Sequence, residues 1–133
     1  MKAKRILTVA HPPPKPLMVF DGDCNFCKKW IRRWQQITGN AVDYLPSQDP
    51  QIAKRFPEIP REHFQQSVQF IETSGKVFSG AEAVFRSLAK NPKWQWPLRF
   101  YQRSRFFAAV TECAYHFVAR HRSFFSWLSG THD

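Results

Sequence analysis

Cysteine is scarce in this chain of 133 residues, which has only Cys24, Cys27 and Cys113. An odd number of cysteines, of which only two lie close together in sequence, excludes the dense disulfide framework of many small secreted domains. A second Cys-x-x-Cys and a paired histidine motif, either of which is typical of a structural zinc site, are also absent. We therefore expect a reducing, cytoplasmic setting and predict neither a cofactor nor a metal ion.

Long hydrophobic runs are absent as well. The apolar run of residues 6–10 is too short for a signal peptide and is followed at once by prolines. The longest aromatic-rich stretch, residues 106–119, contains Glu112 and His116 and falls short of the roughly 20 residues that cross a bilayer. The sequence therefore predicts neither an export signal nor a membrane span.

Acidic residues are few, since ten Asp and Glu stand against twenty Lys and Arg, which gives a net charge of +10. Such an excess favours an anionic partner but has no bearing on the fold. Aromatic residues are plentiful, with thirteen Phe and five Trp, which is enough for one hydrophobic core. Residues 11–16, His-Pro-Pro-Pro-Lys-Pro, favour an extended conformation. We expect a proline-rich tail over residues 1–16 and a single domain over residues 17–133.

The first half of that domain begins with an apolar strand. Residues 17–20 are uninterruptedly apolar, which is typical of a buried strand, and the Asp-Gly-Asp turn of residues 21–23 ends it. A helix follows and ends near residues 39–40. Its predicted inward residues, which recur at helical spacing, are Trp30, Ile31, Trp34 and Ile37. A second strand over residues 42–46 completes a βαβ unit, whose strands should be parallel.

Further along, a short helix is predicted over residues 52–56, and residues 67–72 and 76–79 alternate around a glycine turn as a β-hairpin. Gly80 then opens another helix. One or two more helices, ending near residues 129–130, share a predicted apolar face formed by Phe100, Phe107, Val110, Ala114, Phe117 and Val118. The order predicts a thioredoxin-like α/β fold: a central mixed four-stranded sheet of a βαβ unit plus a β-hairpin, flanked by helices, with extra C-terminal helices.

The candidate site is the pair Cys24 and Cys27. Three residues apart on the first turn of a helix, their sulfurs lie within reach of a disulfide, and Cys24 would attack while Cys27, packed beneath it, resolves. A purely structural disulfide is a poor alternative, because so short a loop contributes about 2 kcal/mol against about 4.7 kcal/mol for a hundred-residue loop. Two ordinary buried thiols, or a metal site completed by Cys113 and His116, are the remaining alternatives.

Charged residues near the two cysteines have opposite effects on the stability of the Cys24 thiolate. A helix N-terminus stabilises a thiolate by about 0.3 to 1 kcal/mol. Asp21 and Asp23 act against the Cys24 thiolate, whereas Lys28 and Lys29 favour it. Asp23 is best interpreted as the helix cap. Asp21 is either a turn residue or the proton acceptor for the thiol of Cys27.

Residues 21–27, Asp-Gly-Asp-Cys-Asn-Phe-Cys, together with residues 44–48, the hairpin and residues 115–122, resemble the DCC family of predicted thiol-disulfide oxidoreductases. The resemblance runs from about residue 17 to residue 127. The family's D-x-x-C-x-x-C motif falls on Asp21, Cys24 and Cys27. The resemblance implies catalysis by these residues on a protein or small-molecule thiol or disulfide. Two features of thioredoxins proper are missing, the Trp-Cys-Gly-Pro-Cys sequence and a proline just before the third strand.

An alternative function is suggested by residues 86–122, where Glu112 is the only acidic residue among many arginines and lysines. Interleaved aromatic and basic residues are typical of proteins that bind single-stranded nucleic acid, and a basic helix also suits an anionic membrane surface. This would make the chain a non-catalytic thioredoxin-like module with a basic helical face, with Trp94, Trp96 and Trp127 at an interface. The helical spacing of the aromatic residues instead favours a core position for them, and Cys113 is predicted to be a small buried residue.

Overall fold

The computed structural model describes residues 7–121, which form a five-stranded mixed sheet with helices on both faces. The strands are β1 (Leu7–Thr8), β2 (Leu17–Phe20), β3 (Asp43–Pro46), β4 (Gln69–Ile71) and β5 (Lys76–Ser79). Their spatial order is β1-β5-β4-β2-β3. β2 and β3 are parallel, and the other neighbouring pairs are antiparallel. The predicted thioredoxin-like combination of a βαβ unit and a β-hairpin is confirmed.

One strand more is present than the four predicted. Strand β1 pairs with β5, with Leu7 opposite Val77. Val9, which follows the end of β1, is buried and donates its N–H to Gly75 O at 2.8 Å. A two-residue edge strand has no measurable period, so only its pairing partner reveals it. The additional strand, β1, therefore lies within residues 1–16.

Six α-helices are present in the described part of the chain: α1 (Asn25–Thr38), α2 (Pro50–Arg55), α3 (Arg61–Gln66), α4 (Gly80–Leu88), α5 (Trp96–Arg103) and α6 (Arg105–Arg120). Short 3-10 turns cover Gly39–Ala41 and Pro92–Trp94. Helix α3 was not predicted, and Pro60 stands at its N-cap position. The predicted end near residues 129–130 lies outside the described residues.

Alternate residues of β2 supply the two cores. Leu17 and Val19 pack with Ile52 of α2 and Phe64 of α3 on one face of the sheet. Met18 belongs to the core on the other face. That second core also contains Ile31, Val42, Val68, Phe70, Phe78, Ala83, Val84 and Leu88, several of them from α1 and α4. Because β2 is buried on both sides, its C-terminal end is held rigidly where α1 begins.

Helix α6 turns an apolar side to solvent. The residues on this side are Phe106, Val110, Cys113 and Phe117, all exposed and at helical spacing. The opposite side packs inward, with Phe107 stacked on Phe85 and Tyr115 against the second core. Phe100 of α5 is also 56% exposed. The predicted burial of Cys113 is therefore wrong, because helical spacing alone does not decide which side of a helix faces the core. The predicted shared core face is wrong for Phe100, Val110, Ala114 and Phe117, which are all exposed.

A single carboxylate joins the last three helices. Glu112 of α6 accepts hydrogen bonds from the N–H groups of Ala81 and Glu82, at 3.0 and 3.3 Å, where α4 begins. The hydroxyl of Tyr101 on α5 donates to the same carboxylate at 2.5 Å. Gly80 has a φ of +66°, and a side chain there would collide with this carboxylate. Glu112 thus caps α4 from a neighbouring helix.

No helix between residues 7 and 121 is both long and apolar enough to cross a membrane.

Candidate active site

The dithiol lies where β2 gives way to α1. Cys24 occupies the N-cap position of α1, and its Sγ accepts a hydrogen bond from the N–H of Cys27 at 3.2 Å. The predicted cap, Asp23, is therefore wrong, because the sulfur of Cys24 takes the place of the capping oxygen. Both cysteines are half-buried rather than one exposed above the other. The two side chains are brought together on the first turn, as the spacing predicted.

The helix N-terminus favours a thiolate at Cys24. An amide N–H that points at sulfur, together with the positive end of the helix dipole, stabilises a negative charge there. The N–H of Cys24 is in turn bound to Asp21 O at 3.3 Å, which fixes the backbone as it enters the helix. The geometry holds Cys24 Sγ in a fixed position at the start of α1.

Gln48 holds the turn that presents Cys24. Its side-chain Oε1 accepts the N–H of Gly22 at 2.9 Å, and its Nε2 donates to Asp21 Oδ1 at 2.8 Å and to Asp23 Oδ2 at 3.2 Å. The amide dipole therefore faces both carboxylates that oppose the thiolate. Sequence reasoning had given Gln48 no role in the site. The sequence signals for it were its position just after β3, whose carboxyl end lies beside that of β2, and its place in residues 44–48, which resemble the DCC family.

Gly22 makes this close approach possible. A Cβ added at Gly22 would lie 2.8 Å from Pro46 Cβ and 2.9 Å from Gln48 Oε1. The glycine of the motif therefore serves a packing requirement between the two loops that follow the parallel strands. Ser47 continues this contact by donating its N–H to Phe20 O at 2.7 Å.

Asp21 has two structural connections. Its Oδ1 accepts from the N–H of Asp23 at 3.0 Å as well as from Gln48, so it does form the turn. It also lines the same cavity as Cys27. The structure thus places Asp21 both in the turn and in the lining of the cavity beside Cys27.

A cavity of about 390 Å³ opens beside Cys27. Residues of α1, α3, α4 and α6 and the segment before β4 surround it, and its lining is predominantly apolar. Trp30, which was predicted to face inward, is 40% exposed and lines this cavity, with its ring 6.1 Å from that of Phe26. Across the cavity, Val68 donates its N–H to the hydroxyl of Tyr115 at 3.0 Å. Among the described residues, every peptide bond is trans.

Metal ligands do not assemble at this site. Within residues 7–121, no three His, Cys, Asp or Glu side chains lie together in a metal-binding arrangement. Cys113 lies on the exposed side of α6, and His116 is 3.7 Å from Glu112. The described residues therefore do not form the alternative arrangement in which Cys113 and His116 complete a site with the dithiol.

Removal of the Gln48 amide should lower the stability of the turn and the reactivity of Cys24, although neither cysteine is substituted. In Gln48→Ala we expect the free energy of unfolding to fall by about 1 to 2 kcal/mol, since four side-chain hydrogen bonds at an exposed turn are lost. Alkylation of Cys24 at neutral pH should slow by about threefold, because the two carboxylates lose the donor that faces them. Denaturant unfolding and mass-spectrometric alkylation kinetics measure both. Gln51→Ala, on the neighbouring helix, is the matched control, and equal values for the two variants would contradict a role for Gln48.

Comparison with known proteins gives one match. The family model of the DCC1-like thiol-disulfide oxidoreductases matches residues 18–128, which is most of the chain and includes the turn, the dithiol, the hairpin and α4 to α6. No significant match is found among curated proteins or among solved structures. With Cys24 and Cys27 close together at the start of α1, this chain belongs to the DCC1-like thiol-disulfide oxidoreductase family.

Proposed function

We propose that Cys24 and Cys27 exchange a dithiol for a disulfide with a thiol or disulfide substrate. The observation that carries this proposal is the hydrogen bond from the N–H of Cys27 to Cys24 Sγ at 3.2 Å, at the start of α1. It brings the two residues together and favours the thiolate that starts the exchange. Membership of the family supports the same redox chemistry.

The exchange has two steps. The thiolate of Cys24 attacks one sulfur of the substrate disulfide, a Cys24–substrate bond forms, and the other substrate sulfur leaves as a thiolate that takes up a proton. Cys27 then loses its proton and attacks Cys24 Sγ, which forms the intramolecular disulfide and releases the second substrate thiol. Two electrons pass from protein to substrate, and the reverse sequence oxidises a dithiol substrate. A cytoplasmic, reducing location would regenerate the dithiol.

Asp21 is the proposed proton acceptor for Cys27. Asp21 and Cys27 line the same cavity, and two hydrogen bonds to Asp21 Oδ1 fix the orientation of its carboxylate. A fixed carboxylate on the side of the resolving thiol can take its proton as the second step begins. This role would leave the first step, which depends on Cys24, unchanged.

A series of thiol-disulfide redox buffers tests the proposal. The protein is used as Cys113→Ser, so that only the candidate pair remains, and is equilibrated, acid-quenched, alkylated and weighed by mass spectrometry. We expect Cys24 and Cys27 to lose their thiols together in one two-electron transition. A pair that forms no intramolecular disulfide in any buffer would rule out the proposed function.

A second candidate function is favoured by the surface of α5 and α6. Apart from Glu112, which is turned towards α4, these helices carry no acidic residue. Their exposed residues include Trp96, Arg99, Phe100, Arg103, Arg105, Phe106 and Arg120. Exposed aromatic rings among arginines suit an anionic membrane surface or a single-stranded nucleic acid.

Salt-dependent binding tests this second function. We expect the protein to bind anionic vesicles or a single-stranded oligonucleotide at low salt, and the double variant Arg99→Gln/Arg103→Gln to bind about fivefold or more weakly. Lys54→Gln/Arg61→Gln removes the same charge from α2 and α3 and should bind nearly as the wild type does. Absence of binding to either probe at low salt would exclude this function.

A further inference from the structure

We propose that the cavity beside Cys27 holds the apolar body of a small-molecule disulfide substrate. This inference rests on the proposed function, because it assigns a substrate class to the same dithiol. The cavity has a volume of about 390 Å³. That volume lies near the lower end of the roughly 300 to 1,000 Å³ typical of small-ligand sites.

The residues that line the cavity disfavour a charged substrate. Rings of Phe26, Trp30 and Trp34 lie along its α1 side, and Phe85 and Tyr115 lie along the α4 and α6 sides. Among the described residues of the lining, the carboxylate of Asp21 is the only charged group. A charged or strongly hydrated substrate body would lose more water than this predominantly apolar lining can replace, whereas an apolar body gains from burial.

The cavity lies next to the two cysteines, so a substrate bound there would be close to their sulfur atoms. Cys27 belongs to its lining, and the N–H of Cys27 is bound to Cys24 Sγ. A substrate whose apolar body fills the cavity therefore has its sulfur atoms at the start of α1, close to the attacking thiolate. Proximity of this kind raises the rate for substrates that fit over those that do not.

The reaction of the bound substrate balances without another reactant. Reduced protein and a disulfide R–S–S–R give the Cys24–Cys27 disulfide and two R–SH molecules. The bond between Cys24 Sγ and one substrate sulfur forms as the substrate S–S bond breaks. The Cys24–Cys27 disulfide then forms as this mixed disulfide breaks, and the two thiol protons of the protein end on the two products. A single turnover of pre-reduced protein is therefore sufficient to measure it.

Two isosteric probes separate the apolar contribution from sulfur chemistry. Dipropyl disulfide and bis(2-hydroxyethyl) disulfide have the same number of heavy atoms and differ by a methyl group against a hydroxyl at each end. We expect pre-reduced Cys113→Ser protein to react about tenfold faster with the dipropyl compound, since a predominantly apolar site disfavours the hydroxyl. Stopped-flow mixing with quenched mass spectrometry follows formation of the intramolecular disulfide.

A filled cavity should remove this preference. Ala114 lines the cavity, whereas Ala109 lies on the same helix outside the lining, and both are exposed, so Ala114→Trp and Ala109→Trp form a matched pair. In Ala114→Trp the rate ratio of the two probes should fall to about one, because neither probe can then place its end groups in the cavity. Ala109→Trp should keep the tenfold ratio. Ala119→Leu, a smaller change in the same lining, should lower the ratio partway.

The outcomes separate this inference from the proposed function. If both probes oxidise the dithiol at equal rates, or if Ala114→Trp keeps the preference, the cavity does not hold the substrate body and the inference is overturned while dithiol exchange stands. If neither probe forms the Cys24–Cys27 disulfide, the proposed function fails and the inference fails with it. A preference that is lost in Ala114→Trp and retained in Ala109→Trp supports the inference.

Discussion

Substitution of Cys24 by serine is expected to lower the rate of disulfide exchange by about a thousandfold or more, because a hydroxyl at neutral pH does not replace a thiolate nucleophile. Cys27→Ser should behave differently. Its Cys24 can still attack, but no second thiol follows, so the mixed disulfide between Cys24 and the substrate should accumulate. Single-turnover reactions analysed by non-reducing mass spectrometry distinguish the two variants.

The exposed Cys113 provides the control for this pair. Cys113→Ser should retain the wild-type rate within about twofold, since its side chain lies on the outer side of α6, away from the dithiol. A Cys24→Ser variant that still turns over would mean that another group is the nucleophile. If Cys27→Ser accumulated no mixed disulfide and released product at the wild-type rate, Cys27 would not be the resolving thiol.

The parts of the site that arise locally could be predicted from the sequence. The apolar residues 17–20 form β2, and the two cysteines fall at the start of α1 as their spacing required. Both results depend on neighbours within one turn or one strand, whose preferences are visible in a short window. Local reasoning failed even here for the helix cap, because Asp23 is the better capping residue by type, yet the backbone places Cys24 at that position.

The parts that depend on long-range contacts could not be predicted. Gln48 meets Gly22 across 26 residues, and nothing in a polar loop identifies which side chain will bridge to the turn. Helix α6 shows the same limit in another form. Its apolar residues occupy more than one side, and only the positions of α4 and α5 decide that Phe107 is turned inward and Phe106, 79% exposed, outward. Tertiary packing therefore decides both the support of the dithiol and the walls of the cavity.

Loss of the Glu112 carboxylate is expected to have the largest effect on stability. In Glu112→Ala the free energy of unfolding should fall by about 2 to 4 kcal/mol, because the first N–H groups of α4 and the hydroxyl of Tyr101 lose their acceptor. Denaturant unfolding measures the change. Glu62→Ala removes an exposed carboxylate from α3 and should change the same quantity by less than about 0.5 kcal/mol. Equal effects of the two substitutions would contradict the capping role.

The pH dependence of stability provides an independent test of the same contact. Burial, together with the hydrogen bond to Glu112, raises the pKa of Tyr101 above its ordinary value of 10.0. A pKa that is higher in the folded than in the unfolded state contributes stability that is fully present below about pH 10 and is lost as pH rises towards the folded value. Because lysines also titrate there, the wild type is compared with Tyr101→Phe. We expect the stability difference between the two proteins to shrink between pH 9 and pH 11, and a difference that stays constant would mean that folding does not raise the pKa of Tyr101.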